Sequence, residues 1–420
     1  MHTIYRKTCR VCGSSALTPV IDLGEQYLQG AFLKQGQEEP SLRKIGLRLM
    51  RCNPALDENA CGLLQMECSV PPEILYSSYW YRSGTNRTMT EHLQGIAETA
   101  TSILRKTDGL VLDIGCNDGT LLRFYPTSFR KYGIDPSDIV KGVEDDIEII
   151  QDLFPSPELR ARLDGARFDI VTSIAMFYDL EDPVGFAREV SYLLSEEGIW
   201  IFEMSYMPLM LKMNSYDTIC HEHLEYYSLA VIEFILRKAG LKLFKAEINA
   251  INGGSLRCYV THIDSFLYQN TDWLKEIRTI RQKEFDEELD TDKPYQNFQE
   301  RINIHKDMLM KLLTNLKEEG KTIHIYGAST KGNTILQWCG INHRLIDFAA
   351  DRNPDKHGAM TLGTNIPIIG EKESREMCPD YYLVLPWHFK EEFLQREKAM
   401  ISRGTKMIFP LPEIEIIESI

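Results

Sequence analysis

Residues 221–227, HEHLEYY, place two histidines, two glutamates and two tyrosines side by side, with no apolar period of helix or strand. An imidazole titrates near neutrality and a carboxylate beside it can fix its tautomer, so His221, Glu222 and His223 suit proton transfer. The plainer alternatives are a solvated loop or half of a metal site. The two histidines are two apart, so they share a face only on an extended strand, and the helical HExxH zinc spacing is absent.

A second group able to do chemistry lies at the N-terminus. Cys9-Arg-Val-Cys12-Gly is a CxxC knuckle whose tight turn lets two thiolates meet one ion. The other two ligands must come from Cys52, Cys61 and Cys68, and Cys52 with Cys61 is the best pair. The expectation is a structural Cys₄ zinc, because a lobe this small often needs a metal to fold. The aromatic run around Tyr76 and Tyr79, with Arg82, Ser83 and Asn86 close behind, reads as one wall of a polar pocket.

Two stretches could position ligands for these groups. In the first, the apolar strand LVLDI ends at Gly115-Cys-Asn-Asp-Gly119, a turn that opens a helix. It has neither the third glycine of a dinucleotide fingerprint nor the lysine of a P-loop. The form DxGCxxG is similar to the first motif of class I S-adenosylmethionine methyltransferases. On that likeness Asp113, Gly115, Asn117 and Gly119 cradle the donor, Asp135 grips ribose, and Asp152 and Leu153 meet the adenine. In the second, strand IHIY runs into Gly327-Ala-Ser-Thr-Lys331-Gly-Asn333, where a helix N-terminus and a lysine make an anion site. Asp351-Arg352 ends the next strand and Trp387-His388 tips a later one. Two such halves imply two nucleotide-like ligands, the second carrying pyrophosphate. The charged helical stretch between, about 271–319, reads as a long hairpin or linker on the surface with a solvated face.

At 420 residues, two or three domains are expected. A hydrophobic content of 43% with 26% charged residues is that of a globular protein, and the net charge of −14 argues against a nucleic-acid partner. The ten cysteines, with no signal peptide and no membrane-length apolar run, read as cytosolic thiols or metal ligands. The expected location is therefore cytoplasmic, with no membrane partner.

Taken in order, CGLLQM, DIGCNDG, HEHLEYYSL, NGGSLR, YGASTKGN, DRNPDKHG and LPWHF resemble the three-domain sugar C-methyltransferases acting on nucleotide-linked 4-keto-deoxysugars. The resemblance covers nearly the whole chain. It implies an α/β protein with a zinc-binding lobe (1–70), a central Rossmann-like methyltransferase domain (71–245) and a second, C-terminal Rossmann-like domain that grips the nucleotide sugar (246–420). It makes His223 the base, Glu222 its partner in proton handling, Tyr76 a donor to the enolate oxygen and His221 an auxiliary. Tyr79, Arg82, Tyr227, Asn252, Arg257, Gly327, Lys331, Asn333, Asp351, Arg352 and Trp387 become substrate-binding residues. Two positions depart from the family pattern: Cys220 stands where its members carry tyrosine, and Met176-Phe-Tyr-Asp179 where they place a histidine. The oligomeric expectation is monomer or homodimer. The alternatives are an O-methyltransferase on a related nucleotide sugar and a non-catalytic zinc protein that binds S-adenosylmethionine.

Overall fold

The computed structural model describes residues 3–34, 43–75, 82–143 and 146–419. Among them, the N-terminal lobe is built on a four-stranded antiparallel sheet, in the order Glu225–Tyr226, Leu64–Met66, Ile45–Cys52, Leu17–Gln26. Ile45, Leu47 and Leu49 alternate inward along their strand, the period-2 pattern of a sheet with one covered face. The outer strand is donated by the HEHLEYY segment, with Glu225 opposite Gln65 and Tyr226 opposite Leu64. A further strand of the lobe, Phe32–Lys34, pairs with Ala359–Thr361 from the other end of the chain.

The lobe carries the metal site. Cys9, Cys12, Cys52 and Cys61 bring their sulfurs within 4.8 Å of one another, with Cys9–Cys61 and Cys12–Cys52 each at 3.5 Å. Four thiolates about 2.3 Å from a tetrahedral zinc stand about 3.8 Å apart, so the donor set fits that ion. Cys68 is buried elsewhere, its thiol turned to the Gly46 carbonyl.

The central sheet has seven strands among the described residues, in the order Leu241–Asn249, Ser255–His262, Leu194–Ser205, Phe168–Ile174, Gly109–Ile114, Phe129–Ile134, Ile147–Ile150. Only Ser255–His262 runs against its neighbours. Its inner strands are buried over most of their length because helices cover both faces. One of these is Arg87–Leu104, which buries Met89, Leu93, Ile96, Ala97, Ala100 and Leu104 on one stripe and is capped by Asn86. The boundary expected at 245/246 falls inside the strand Leu241–Asn249, and Ser255–His262 also belongs to this sheet. The last two strands pair as a hairpin, which the sequence boundary split.

The C-terminal sheet orders Ile368–Gly370, Phe348–Asp351, Ile323–Tyr326, Tyr381–Val384 and Lys406–Phe409 in parallel, with Glu415–Ile417 antiparallel at its edge. Residues 271–319 are not a surface linker. They form the helices Thr271–Asp286 and Lys293–Glu318, and the longer one buries Tyr295, Phe298, Ile302, Leu309, Leu313 and Leu316. That spacing of three and four marks a helix with one apolar stripe beneath a charged face. Arg51, 1% exposed, donates to Asp292 and to the Asp290 carbonyl and so ties the lobe to the start of this helix. The lobe, the HEHLEYY segment, the long helix and the C-terminal sheet share one core. No helix among the described residues is long and apolar enough to cross a membrane.

A metal whose ligands are assembled only by folding stabilises the fold it completes. We expect one zinc per chain by metal analysis, and a melting temperature lowered by about 5 °C or more after chelation or in Cys52→Ser. An unchanged melting temperature in the metal-free protein would contradict a structural role.

Candidate active site

A cavity of about 810 Å³ runs from the glycine turn of the central sheet, past the HEHLEYY segment, to the glycine turn of the C-terminal sheet. At its first end Gly115 takes a positive φ of 74°, its N–H donates to the Ile134 carbonyl at 2.8 Å, and Met176 lies where a side chain would project. Asp113 lies deep at the end of its strand. Thr172 donates to it at 2.7 Å, and burial pushes its carboxyl up to about 7. Asp135 accepts from the Asn117 N–H at 3.0 Å and from both N–H and hydroxyl of Ser137 at 2.8 and 2.6 Å. Asn117 and Asp118 in turn accept from the N–H groups of Ser83 and Gly84, so the turn also holds the segment that carries Arg82. Asp152 and Leu153 close this end. Gly119 does not reach the wall, because its Cα faces Val143. A glycine turn with carboxylates at three successive strand ends and an apolar flank fits a cationic sulfonium nucleoside.

The two histidines of the middle section differ in what they can do. His221 is wholly enclosed. Its Nδ1 meets Gln29 Oε1 at 2.7 Å and its Nε2 the Ile45 carbonyl at 3.2 Å, while burial drives its pKa down to about 4. Both nitrogens face acceptors of the lobe and the ring does not line the cavity, so His221 acts as a brace between the loop and the lobe. His223 borders the cavity. Its Nδ1 lies 2.7 Å from the Thr218 carbonyl, which only accepts, so Nδ1 carries the proton and Nε2 keeps a lone pair. Its ring packs on Tyr178 with centroids 4.2 Å apart. Burial, then the charge of Lys331, lower its pKa to about 3. Glu222 borders the same space, and burial pushes its carboxyl up to about 7. It fits only because Gly30 of the lobe has no side chain, since a methyl there would overlap the Glu222 carboxylate.

The loop after the fourth strand of the central sheet supports this section from below. The Tyr178 carbonyl accepts from the N–H groups of Leu224 and Glu225, at 2.8 and 3.0 Å. Of the positions that depart from the family pattern, Met176, Tyr178 and Asp179 line the cavity. Cys220 is buried behind the wall, and burial raises its thiol well above the ordinary range, which disfavours the thiolate that a nucleophile needs.

At the far end lie Asn252, Gly327, Lys331, Asp351 and Arg352, all expected as substrate residues. Gly327 is pressed against Pro386, and Arg352 donates to the Thr85 carbonyl at 3.3 Å, across to the central domain. Arg82 also lines the cavity, whereas Tyr76 and Tyr79 lie outside the described residues. Four expected substrate residues are turned away, each with its polar group used inside the protein. Tyr227 donates to the Phe177 carbonyl within an aromatic cluster. Arg257 is held by Glu203 and His92 behind the central sheet, at 2.7 and 3.0 Å. Asn333 donates to the Gln29 carbonyl at 2.6 Å, and the Trp387 indole donates to Asp217 at 2.9 Å.

The structure adds His388, Lys356 and Gly30 to the wall. His388 was within reach of sequence reasoning, since it and Trp387 share the same strand tip. Lys356 donates to the Ala328 carbonyl at 2.7 Å and pairs with Asp351 at 3.3 Å. Gly30 gave no local signal, because its role depends on a side chain nearly two hundred residues away.

A family model described as a zinc binding domain matches residues 9–76, a methyltransferase domain matches 81–246, and a C-methyltransferase C-terminal domain matches 250–412. The C-methyltransferase NovU of Streptomyces niveus is 27% identical over 98% of this chain and 97% of its own length. Among solved structures, an S-adenosylmethionine-dependent methyltransferase from Clostridium acetobutylicum ATCC 824 is 15% identical, covering 41% of this chain and 92% of that one at a TM-score of 0.34. Magnesium protoporphyrin IX methyltransferase from Synechocystis PCC 6803, with bound S-adenosylmethionine, is 14% identical, covering 42% and 81% at a TM-score of 0.31.

Asp135 both lines the donor end and holds its two loops together. Asp135→Ala is expected to weaken S-adenosylmethionine binding by about tenfold or more in calorimetry, a cost of about 1.4 kcal/mol. Unchanged affinity would remove Asp135 from the donor site.

Proposed function

We propose that this chain, an S-adenosylmethionine-dependent C-methyltransferase with a zinc-binding lobe, methylates the carbon beside the ketone of a nucleotide-linked deoxysugar. The observation that carries the reading is the shared cavity. His223, with a lone pair at Nε2, borders the same space as the donor turn at Gly115 and the second glycine turn at Gly327. Asp351 at a strand end, with Arg352 and Lys356 beside it, supports a nucleoside diphosphate handle at the second turn. The name C-methyltransferase borne by the Streptomyces niveus relative supports carbon as the acceptor.

When bound, S-adenosylmethionine supplies a methyl group on a positively charged sulfur. Asp113, Asp135, Asp152 and Leu153 are the residues that would hold it. The chain's own task is to make the acceptor carbon nucleophilic. A hydrogen beside a ketone is acidified by the carbonyl, and His223 Nε2 takes it while Nδ1 stays on the Thr218 carbonyl. Glu222, once ionised, stabilises the imidazolium that results. Burial of both groups keeps bulk water from protonating the carbanion equivalent.

The test is hydrogen exchange in deuterium oxide without methyl donor, following the protons beside the ketone of nucleotide-linked 4-keto-6-deoxysugars by NMR. His223→Asn is expected to slow exchange by about 100-fold or more. Absence of exchange on every such sugar, in protein shown separately to bind S-adenosylmethionine, would move the reading to a hydroxyl acceptor.

Burial pushes the Glu222 carboxyl up to about 7, so it is protonated below that pH and ionised above it. The exchange rate should therefore rise as pH passes through about 7, and Glu222→Gln should flatten that limb. A limb retained in Glu222→Gln would assign it to another group. Gly30→Ala, which displaces the Glu222 carboxylate, is expected to slow exchange by about 10- to 100-fold with donor affinity intact. Wild-type exchange in Gly30→Ala would mean that the position of Glu222 does not matter.

A further inference from the structure

Lys331 follows the N-cap of the helix Thr330–Cys339, where a lysine is ordinarily read as a phosphate ligand. Its ammonium is placed differently. Nζ donates to the Asn252 carbonyl at 3.3 Å, which carries it off the helix axis to the NGG turn that follows the central sheet's edge strand. The charged and titratable groups that face it there are Asp217, Cys220 and His223 of the segment around HEHLEYY, and His388 of the far strand tip. Two of these have buried atoms with no hydrogen-bond partner among the described residues. One is Asp217 Oδ1, whose other oxygen is held by Trp387, and the other is Nδ1 of the cavity-lining His388. The glycine turn meanwhile has another cation. Lys356 sits on the Ala328 carbonyl within the turn itself, with Arg352 nearby on the same wall. A diphosphate at that turn is served without Lys331.

We propose that the Lys331 ammonium holds the oxygen of the substrate ketone and carries its charge as that ketone becomes an enolate, which makes Lys331 a catalytic residue. The proposal rests on the keto-sugar reading above. The step balances as follows. His223 Nε2 takes the proton from the carbon beside the ketone, the C–H electron pair becomes the new C=C bond, and the carbonyl pair moves onto oxygen. The oxyanion accepts a hydrogen bond from Lys331 Nζ. Attack of that carbon on the methyl group of S-adenosylmethionine restores the C=O bond, the pair of the broken S–CH3 bond stays on sulfur and leaves a neutral thioether, and His223 releases the proton to solvent. The same ammonium that disfavours a charged His223 in the empty cavity is neutralised by the developing oxyanion, so the base strengthens as the enolate forms. Asp217, held by Trp387, contributes a carboxylate whose charge favours the ammonium form of Lys331.

The deciding experiment separates the sugar from its handle. Wild type, Lys331→Met and Lys331→Arg are each given the keto-sugar at saturation in deuterium oxide, without methyl donor, and exchange beside the ketone is read by NMR. The affinity of the free nucleoside diphosphate of that same substrate is measured in parallel, and S-adenosylmethionine binding reports that each variant is folded. We expect Lys331→Met to lose exchange by about 100-fold or more while nucleoside diphosphate affinity stays within about threefold. Lys331→Arg, which keeps the charge, should recover part of the exchange. Persistent exchange in Lys331→Met, or nucleoside diphosphate affinity weakened by about tenfold or more, overturns the proposal and returns Lys331 to the phosphate. Absence of exchange in wild type is a different outcome and overturns the keto-sugar reading on which the proposal stands.

Discussion

The eight-residue strand Ile45–Cys52 connects the metal site to the catalytic loop. At one end Cys52 is one of the four clustered cysteines, and at the other the Ile45 carbonyl meets His221 Nε2. At about 3.4 Å per residue those ends lie roughly 24 Å apart. Between them the strand pairs with Leu64–Met66, which pairs in turn with Glu225–Tyr226 just beyond His223. The polar HEHLEYY segment, which would cost free energy to bury alone, is therefore buried as part of a sheet that satisfies its backbone. The clustered cysteines stand at the opposite end of this strand from His221, yet the register of the HEHLEYY segment depends on the lobe they close.

The same burial sets the electrostatics. Two imidazoles facing the cavity, His223 and His388, are held neutral by desolvation and by the charge of Lys331, while desolvation moves Glu222 toward neutrality from the other side. Imidazole and carboxyl are thus both moved toward their uncharged forms, which leaves His223 with a lone pair to accept a proton. In water these shifts would vanish. They exist because side chains from the lobe, the central sheet and the C-terminal sheet all close on one space.

The readable parts of the sequence were those whose signal is local. Both glycine turns follow continuous apolar strands and stand where expected, and the four cysteines that meet are the CxxC pair with Cys52 and Cys61. The misread parts are those where a distant partner decides. Arg257 in NGGSLR has the chemistry of a phosphate ligand, but Glu203 and His92 hold it behind the sheet. His221 and His223 are indistinguishable by type, and only Gln29 and Ile45, brought in by the lobe, make the first a brace. Asn333 was pulled from the cavity by the Gln29 carbonyl. The helical character of Lys293–Glu318 was legible, but its charge hid the buried stripe at 295, 298, 302, 309, 313 and 316 that packs it into the core.

That helix also explains why three domains share one active site instead of closing on it as separate bodies. Its buried stripe belongs to the core that joins the lobe and the C-terminal sheet, and Arg51 of the lobe is anchored where it begins. The lobe is fastened a second time by Phe32–Lys34 on Ala359–Thr361, beside Gly30 and Lys356 on the cavity wall. Moving the C-terminal sheet away from the lobe would break that pairing and expose apolar core, a cost well above thermal energy. The cavity therefore holds its carboxylate, imidazoles and ammonium in fixed positions before any ligand arrives. Preorganisation of that kind spares a bound ligand the reorganisation that water would require, because folding has already met it.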